Sequence, residues 1–254
     1  MPSVLITGAK RNIGLSFTRK YLRLGWEVFA TGRQMDTANA LIELSRENRS
    51  LQILELDVTM DSQIETLKNS LENDSLDLLI HNAAMFPLGG TILSELDFSY
   101  WNKMFDTNVV APLKLTVALL PALKRSKFSP KIIALSTIKA SNHRVSMGGA
   151  YQYRTTKAAL NILISTLAVD LKDDKITVAA ISPGWVSEKH ANESNTTPTT
   201  EQMISARRFL RELGSTKSIL TPDESTEFMC HTINELGIEN TGQFLDERGG
   251  TIPW

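Results

Sequence analysis

Seven short apolar runs punctuate this chain, and stretches with helical spacing separate most of them. "SVLIT" (3–7), "WEVFATG" (26–32), "LQILELDV" (51–58), "LDLLIHNAA" (76–84), "KIIALST" (131–137), "ITVAAISPG" (176–184) and "GQFLD" (242–246) have the length and composition of strands. After the first, Ile13, Phe17, Tyr21 and Leu24 recur every three or four residues until Gly25 stops the pattern. Further helices are expected over 38–44, 62–71, 98–127 with interruptions at Pro112 and Pro121, 151–171, 201–213 and 222–236. Alternation of this kind predicts an α/β fold: a doubly wound, Rossmann-type parallel sheet covered on both faces by helices. No repeat divides residues 1–254, which are read as a single domain. Within it, residues 185–213 are read as a substrate loop and helix, because a loop after a strand's carboxyl end lies over the ligand crevice.

Charge narrows the classes of partner. With 27 basic and 28 acidic residues the formal net charge is −1, too balanced for electrostatic capture of nucleic acid or an anionic membrane. No apolar run approaches the roughly 20 residues of a membrane helix. The opening "MPSVLITG" is already a strand and leaves no room for a secretory leader, so a cytoplasmic protein is expected. Cys230 is the sole cysteine, and His81, His143, His190 and His231 lack ligand spacing, so neither a disulfide nor a metal site is expected. Small molecules are the expected partners.

Two motifs carry chemistry. "TGAKRNIG" (7–14) follows a strand and opens a helix, where backbone amides and the helix dipole favour a phosphate. There Gly8 permits a tight turn, and Gly14 lets helix and strand approach closely. At the end of the second strand "ATGRQ" has Arg33 and no carboxylate to hold a ribose 2′-hydroxyl. Arg33 and Arg11 instead suit a 2′-phosphate, which points to NADPH. In "YRTTK", Tyr153 and Lys157 lie four apart on one helix face, and the ammonium is expected to lower the tyrosine pKa from about 10 towards neutrality. A phenol so placed can donate a proton to a carbonyl oxygen.

Taken in order, these motifs resemble those of the short-chain dehydrogenase/reductase family over nearly the whole chain. The glycine loop resembles its Thr-Gly-x-x-x-Gly-x-Gly, "LDV" (56–58) its adenine-contacting strand end and "HNAA" (81–84) its Asn-Asn-Ala-Gly. "DTNVVAP" carries its helix asparagine at Asn108, "ALSTI" its serine segment and "SPGWV" its nicotinamide-side loop. "GGAYQYRTTKAALN" and the ending "GQFLDERGGTIPW" are similar to the C-factor-like and sniffer-like carbonyl reductases.

The resemblance implies reduction of a small aldehyde or ketone by NADPH. Tyr153 is then the general acid, Lys157 the holder of the nicotinamide ribose, and Thr137 the hydroxyl at the carbonyl oxygen, with Ser136 as the alternative. Asn108 anchors a water that links Lys157 to solvent. The implied cofactor contacts are Gly8, Lys10, Arg11, Asn12, Ile13 and Gly14 in the loop, Thr31 and Arg33 after the second strand, and Asp57 and Val58 at the adenine. Asn82, Ala83 and Ala84 line it further on, with Lys157, Pro183, Gly184, Trp185 and Val186 at the nicotinamide. In many relatives the helices around Asn108 and Tyr153 form dimer surfaces, so a homodimer or homotetramer is the implied assembly.

The chain also departs from the family pattern. Asn12 replaces the middle glycine of the loop, as a residue that tolerates left-handed backbone. Ala84 replaces a glycine, and His81 replaces an asparagine and is read as structural. Thr137 replaces serine, and Glu188 occupies a carboxamide-binding threonine's place, with Ser187 one position early. Asn12, Thr137 and Glu188 support the alternative of a catalytically weak, nucleotide-binding regulatory protein. The intact Asn108, Tyr153 and Lys157 favour the enzyme.

Overall fold

The structure is a computed structural model that describes residues 1–86, 93, 96–146, 148–186 and 219–254. Its elements, in chain order, are β1 (Ser3–Thr7), α1 (Asn12–Arg23), β2 (Glu27–Gly32), α2 (Asn39–Glu47), β3 (Leu51–Glu55), α3 (Asp61–Ser70) and β4 (Leu78–His81). Next come α4 (Trp101–Phe105), α5 (Ala111–Lys124), β5 (Lys131–Leu135), α6 (Tyr151–Asp170), β6 (Thr177–Ile181), α7 (Pro222–Glu235) and β7 (Phe244–Leu245). All neighbouring strands pair in parallel, in the order β3-β2-β1-β4-β5-β6-β7. The order reverses between β1 and β4, which opens a crevice at their carboxyl ends. The expected helix over 201–213 and residues Ser187 and Glu188 lie outside the described residues.

Strand periodicity divides the core between the two faces. Val4, Ile6, Val28, Ala30, Ile133 and Ile181 pack with Phe17, Leu41 and Ile233 on one side of the sheet. Their alternate neighbours Leu5, Phe29, Ile132 and Val178 pack with Leu67, Leu115, Leu119 and Ile164 on the other. The central strands are covered on both faces and read as continuous apolar runs, whereas the edge strand β3 alternates and leaves Gln52 and Glu55 exposed.

Several strands stop earlier than their apolar runs suggest, and in each case polar side chains take over the backbone. β3 ends at Glu55, after which the Asp57 amide donates to Gln63 Oε1 at 2.5 Å and Asp57 Oδ1 accepts from the Thr59 amide at 3.0 Å. β4 ends at His81, because the amides of Asn82 and Ala83 both turn to Thr7 Oγ1. The long helical tract is built differently from expectation. A π-helical turn spans Asp106–Val110, Pro112 lies in the first turn of α5, and α5 then runs through Pro121. Pro121 costs about 3 kcal/mol in a helix interior, which burial of Leu115, Leu119, Ala122 and Leu123 offsets.

Residues 252–254 return to the sheet. The Ile252 amide donates to Phe244 O at 2.7 Å, and the Trp254 ring stacks on Phe244 at 5.3 Å between centroids. Ser141 Oγ donates to Pro253 O, and the His143 amide to Trp254 O at 3.3 Å. This latch ties down the segment that leads from β5 into α6.

Candidate active site

The loop between β1 and α1 needs unusual backbone geometry, and its residues supply it. Gly8 has φ +66°, and a Cβ there would lie 3.0 Å from Ala83 Cα. A Cβ on Gly14 would stand 2.3 Å from Gly8 O, so only glycine allows α1 to start so close to β1. Asn12 takes φ 50°, the left-handed conformation that asparagine adopts at low cost. Asn82 holds the loop from across the crevice, its Nδ2 donating to Thr7 O at 2.7 Å and to Gly8 O at 3.0 Å. Thr7 completes the brace by donating through Oγ1 to Ile80 O at 3.3 Å. The first turn of α1 has no side-chain cap and no acidic residue, so its amides remain available to an anion.

The next loop is tied to the first. Lys10 Nζ donates to Gln34 O at 2.8 Å and Thr37 Oγ1 at 2.6 Å. From β3, Glu55 accepts the Gln34 amide at 2.8 Å and the Met35 amide at 2.9 Å, fixing the left-handed turn at Gln34. Arg11 and Arg33 stay exposed beside this frame. Arg33 Nη1 is 3.8 Å from Asp57 Oδ2, a long contact worth little at 72% exposure of the arginine side chain. Burial works against the Asp57 charge, but hydrogen bonds from Thr59 and the nearby Arg33 hold its carboxyl below the usual range.

At the other end of the crevice the polar groups are buried. Lys157 donates to Leu135 O at 2.7 Å, which sets its ammonium at the carboxyl end of β5. Asn108, inside the π-helical turn, accepts the Met85 amide at 2.7 Å and donates to Met85 O at 3.0 Å and Thr156 Oγ1 at 3.1 Å. This clamp fixes the chain at Met85, and next to it the exposed Phe86 meets the Tyr153 ring edge-on at 4.7 Å. Thr137 caps a short turn over Ile138–Ala140, its Oγ1 accepting the Lys139 amide at 3.3 Å. Pro183 O accepts from Ser225 Oγ at 2.7 Å, Gly184 has φ +77°, and Trp185 O accepts the Leu220 amide at 2.8 Å, while Val186 bridges to Leu220.

Three expectations need correction. Tyr153 is not lowered towards neutrality: burial pushes it up to about 12, and Lys157 directs its ammonium to a backbone carbonyl. Burial also brings Lys157 down to about 8. Thr31 is fully buried, donating to Ile6 O at 3.2 Å while its carbonyl accepts the Ala9 amide at 2.9 Å, so it shapes the loop from behind and faces no ligand. Ser136 is 2% exposed and donates to Asn161 Oδ1 at 2.6 Å, so its hydroxyl is already engaged in the interior, whereas Thr137 is half-buried. His81 is structural: it is buried, its Nε2 lies 2.9 Å from Thr116 Oγ1, and burial followed by the Lys157 charge depresses it to about 3.

Sequence reasoning passed over Thr7, Glu55, Thr156 and Asn161, each of which holds a neighbour of the site in place. Thr7 and Thr156 lie within the motifs it had already quoted. Glu55 carried no signal, because its partners are backbone amides in another loop.

Fold and site together define a nucleotide-dependent oxidoreductase architecture. The chain belongs to the short chain dehydrogenase family, whose model matches residues 2–199. It is similar to a benzil reductase of Saccharomyces cerevisiae that forms (S)-benzoin, with 29% identity over 265 residues, 98% of each chain being covered. Among solved structures it resembles the carbonyl reductase Sniffer of D. melanogaster, with TM-score 0.84 and 28% identity over 100% of both chains. An NADPH-bound carbonyl reductase from chicken fatty liver is similar at TM-score 0.84 and 29% identity, covering 100% of this chain and 99% of the other.

Proposed function

We propose that this protein reduces the carbonyl of a small aldehyde or ketone with NADPH, and that Tyr153 is the general acid. The observation that carries this reading is the Lys157 to Leu135 O bond, which sets the Tyr153–Lys157 helix face at the carboxyl end of β5, across the crevice from the glycine loop. The residues present fit the cofactor. The uncapped first turn of α1 suits its pyrophosphate, the Gly8 and Gly14 positions leave no room for a Cβ, and the exposed Arg11 and Arg33 suit a 2′-phosphate. NADPH supplies the hydride.

The protein's own groups manage the proton and the charge. A phenol held near 12 is neutral at physiological pH, so Tyr153 stands ready to give its proton as negative charge develops on the carbonyl oxygen. The Thr137 hydroxyl serves the same oxygen as a hydrogen-bond donor. Lys157, brought down to about 8 by burial and held on Leu135 O, would supply a cationic donor to the ribose hydroxyls of the bound cofactor. Pro183, Gly184, Trp185 and Val186 form the wall on the nicotinamide side.

Thermal unfolding with NADPH, with NADH and with neither tests the reading. Ligand at about 100 times its dissociation constant adds about 2.7 kcal/mol, on the order of 5–10 °C for a chain of this size. A shift with NADPH well above that with NADH is expected. Equal shifts would remove the role given to Arg11 and Arg33, and no shift with either would remove the enzyme reading.

A further inference from the structure

The outer face of α6 forms a feature that neither the glycine loop nor Tyr153 uses. Tyr151, Arg154, Thr155 and Ala158 recur at helical spacing on a face turned from that of Tyr153. With Lys139, Ala140, Asn142, Val145, Gly148 and Gly149 they bound a cleft of about 210 Å³. Arg154 is its polar centre. Among the described residues nothing bonds its guanidinium, and its Nε is buried without an acceptor.

Among the described residues the charged groups of the lining are Lys139 and Arg154. The Lys139 ammonium lies 4.8 Å from the Trp185 ring. Burial, then the Arg154 charge, hold Lys139 below the ordinary lysine range; burial also lowers Arg154, with Tyr151 acting in the opposite sense. The described residues of the lining include no aspartate or glutamate. An arginine does not shed its proton to escape burial, so its donors call for acceptors. The planar guanidinium fork matches two oxygens side by side, as in a carboxylate or a phosphate. The volume suits an anion of a few heavy atoms, since pockets for drug-sized ligands begin at roughly 300 Å³.

We propose that this cleft binds a small molecule through a carboxylate or phosphate group, with Arg154 as its anchor. The site is distinct from the glycine loop at the end of β1 and stands whether or not the catalytic reading does.

Calorimetric titration of the full chain in chloride buffer tests it, with inorganic phosphate in one arm and succinate in the other. Saturable binding of at least one anion is expected. Arg154→Met and Arg154→Gln should each weaken it at least tenfold, Arg154→Lys should recover part of the loss, and Arg46→Met, at an exposed arginine of α2, should leave it intact. Circular dichroism selects the Arg154 variants that fold. Binding of phosphate alone supports a phosphate ester as ligand, and binding of succinate alone supports a carboxylate. Absence of saturable binding, unchanged affinity in a folded Arg154 variant, or equal loss in Arg46→Met would each overturn the proposal.

Discussion

The two ends of the crevice are built on opposite principles. Around the glycine loop, rigidity comes from side chains bonded to backbone: Asn82 to Thr7 and Gly8, Lys10 to Gln34, Glu55 to the Gln34 and Met35 amides. The charged groups that would read a ligand, Arg11 and Arg33, remain in solvent. At the Tyr153 end Lys157 and Asn108 are buried and Tyr153 is half-buried, and burial alters the acidity of the phenol and the ammonium. One end is a rigid frame with exposed reading heads. The other is a half-buried chamber whose chemistry depends on partial desolvation. Recognition of a phosphate needs fixed amides and tolerates water, whereas proton donation needs a defined protonation state, which desolvation supplies.

The largest expected effect lies in the half-buried chamber. Tyr153→Phe should lower turnover by about 10²–10⁴-fold, the usual contribution of a general acid, and leave NADPH affinity nearly unchanged. Steady-state rates with a panel of carbonyls, alongside cofactor titration, check both halves. A variant that keeps its rate removes Tyr153 from the chemistry.

Next comes the frame. Asn82→Ala strips donors from Thr7 O and Gly8 O and should cost about 1–3 kcal/mol in urea unfolding, with weaker cofactor binding as well. If stability falls while cofactor affinity holds, the brace supports the fold alone. Arg33→Ser should then weaken NADPH by about tenfold, roughly 1.4 kcal/mol, without weakening NADH, since the arginine is too exposed to matter for folding.

The smallest effect is a pH slope. His81 is held neutral, at about 3 when folded against 6.5 ordinarily, so the unfolded chain binds the extra proton between those values. Stability from this group is therefore present above about 6.5 and is lost as pH falls, by about 1 kcal/mol between pH 7 and about 5.5. Denaturant titrations of the unmodified protein and His81→Asn should differ by that slope. Parallel curves would place the burial of His81 in doubt.

How much was legible beforehand follows the same division. The sheet, its parallel sense, the turn at Gly8 and Gly14 and the shared face of Tyr153 and Lys157 follow from short-range patterns: apolar runs, helical spacing and glycine at tight turns, whereas Asn12 and Asn108 were marked only by the family resemblance. The Tyr153–Lys157 coupling was misread because spacing along a helix shows which residues share a face and not where a flexible ammonium points. Lys157 found the Leu135 carbonyl, which no local pattern marks. Thr31 and Ser136 were misplaced for a related reason: a hydroxyl at a strand end can face the crevice or the sheet, and only the neighbours Ile6 and Asn161 decide. Pro121 was read as a break because local backbone cost was visible and long-range burial was not.

The latch of residues 252–254 has a bearing on the order in which the molecule can assemble. The bond from Ser141 to Pro253 spans 112 positions, and β7 contributes just two residues to the sheet. Contacts of such separation are slow to form, because the loop must close before they reward it. A newly made chain can pair β1 through β6, and so present its glycine loop, well before the segment ahead of Tyr153 has anything to dock against. The segment between β5 and α6 is thus fastened at one of the contacts most distant in sequence, and its order depends on residues that meet it late in folding.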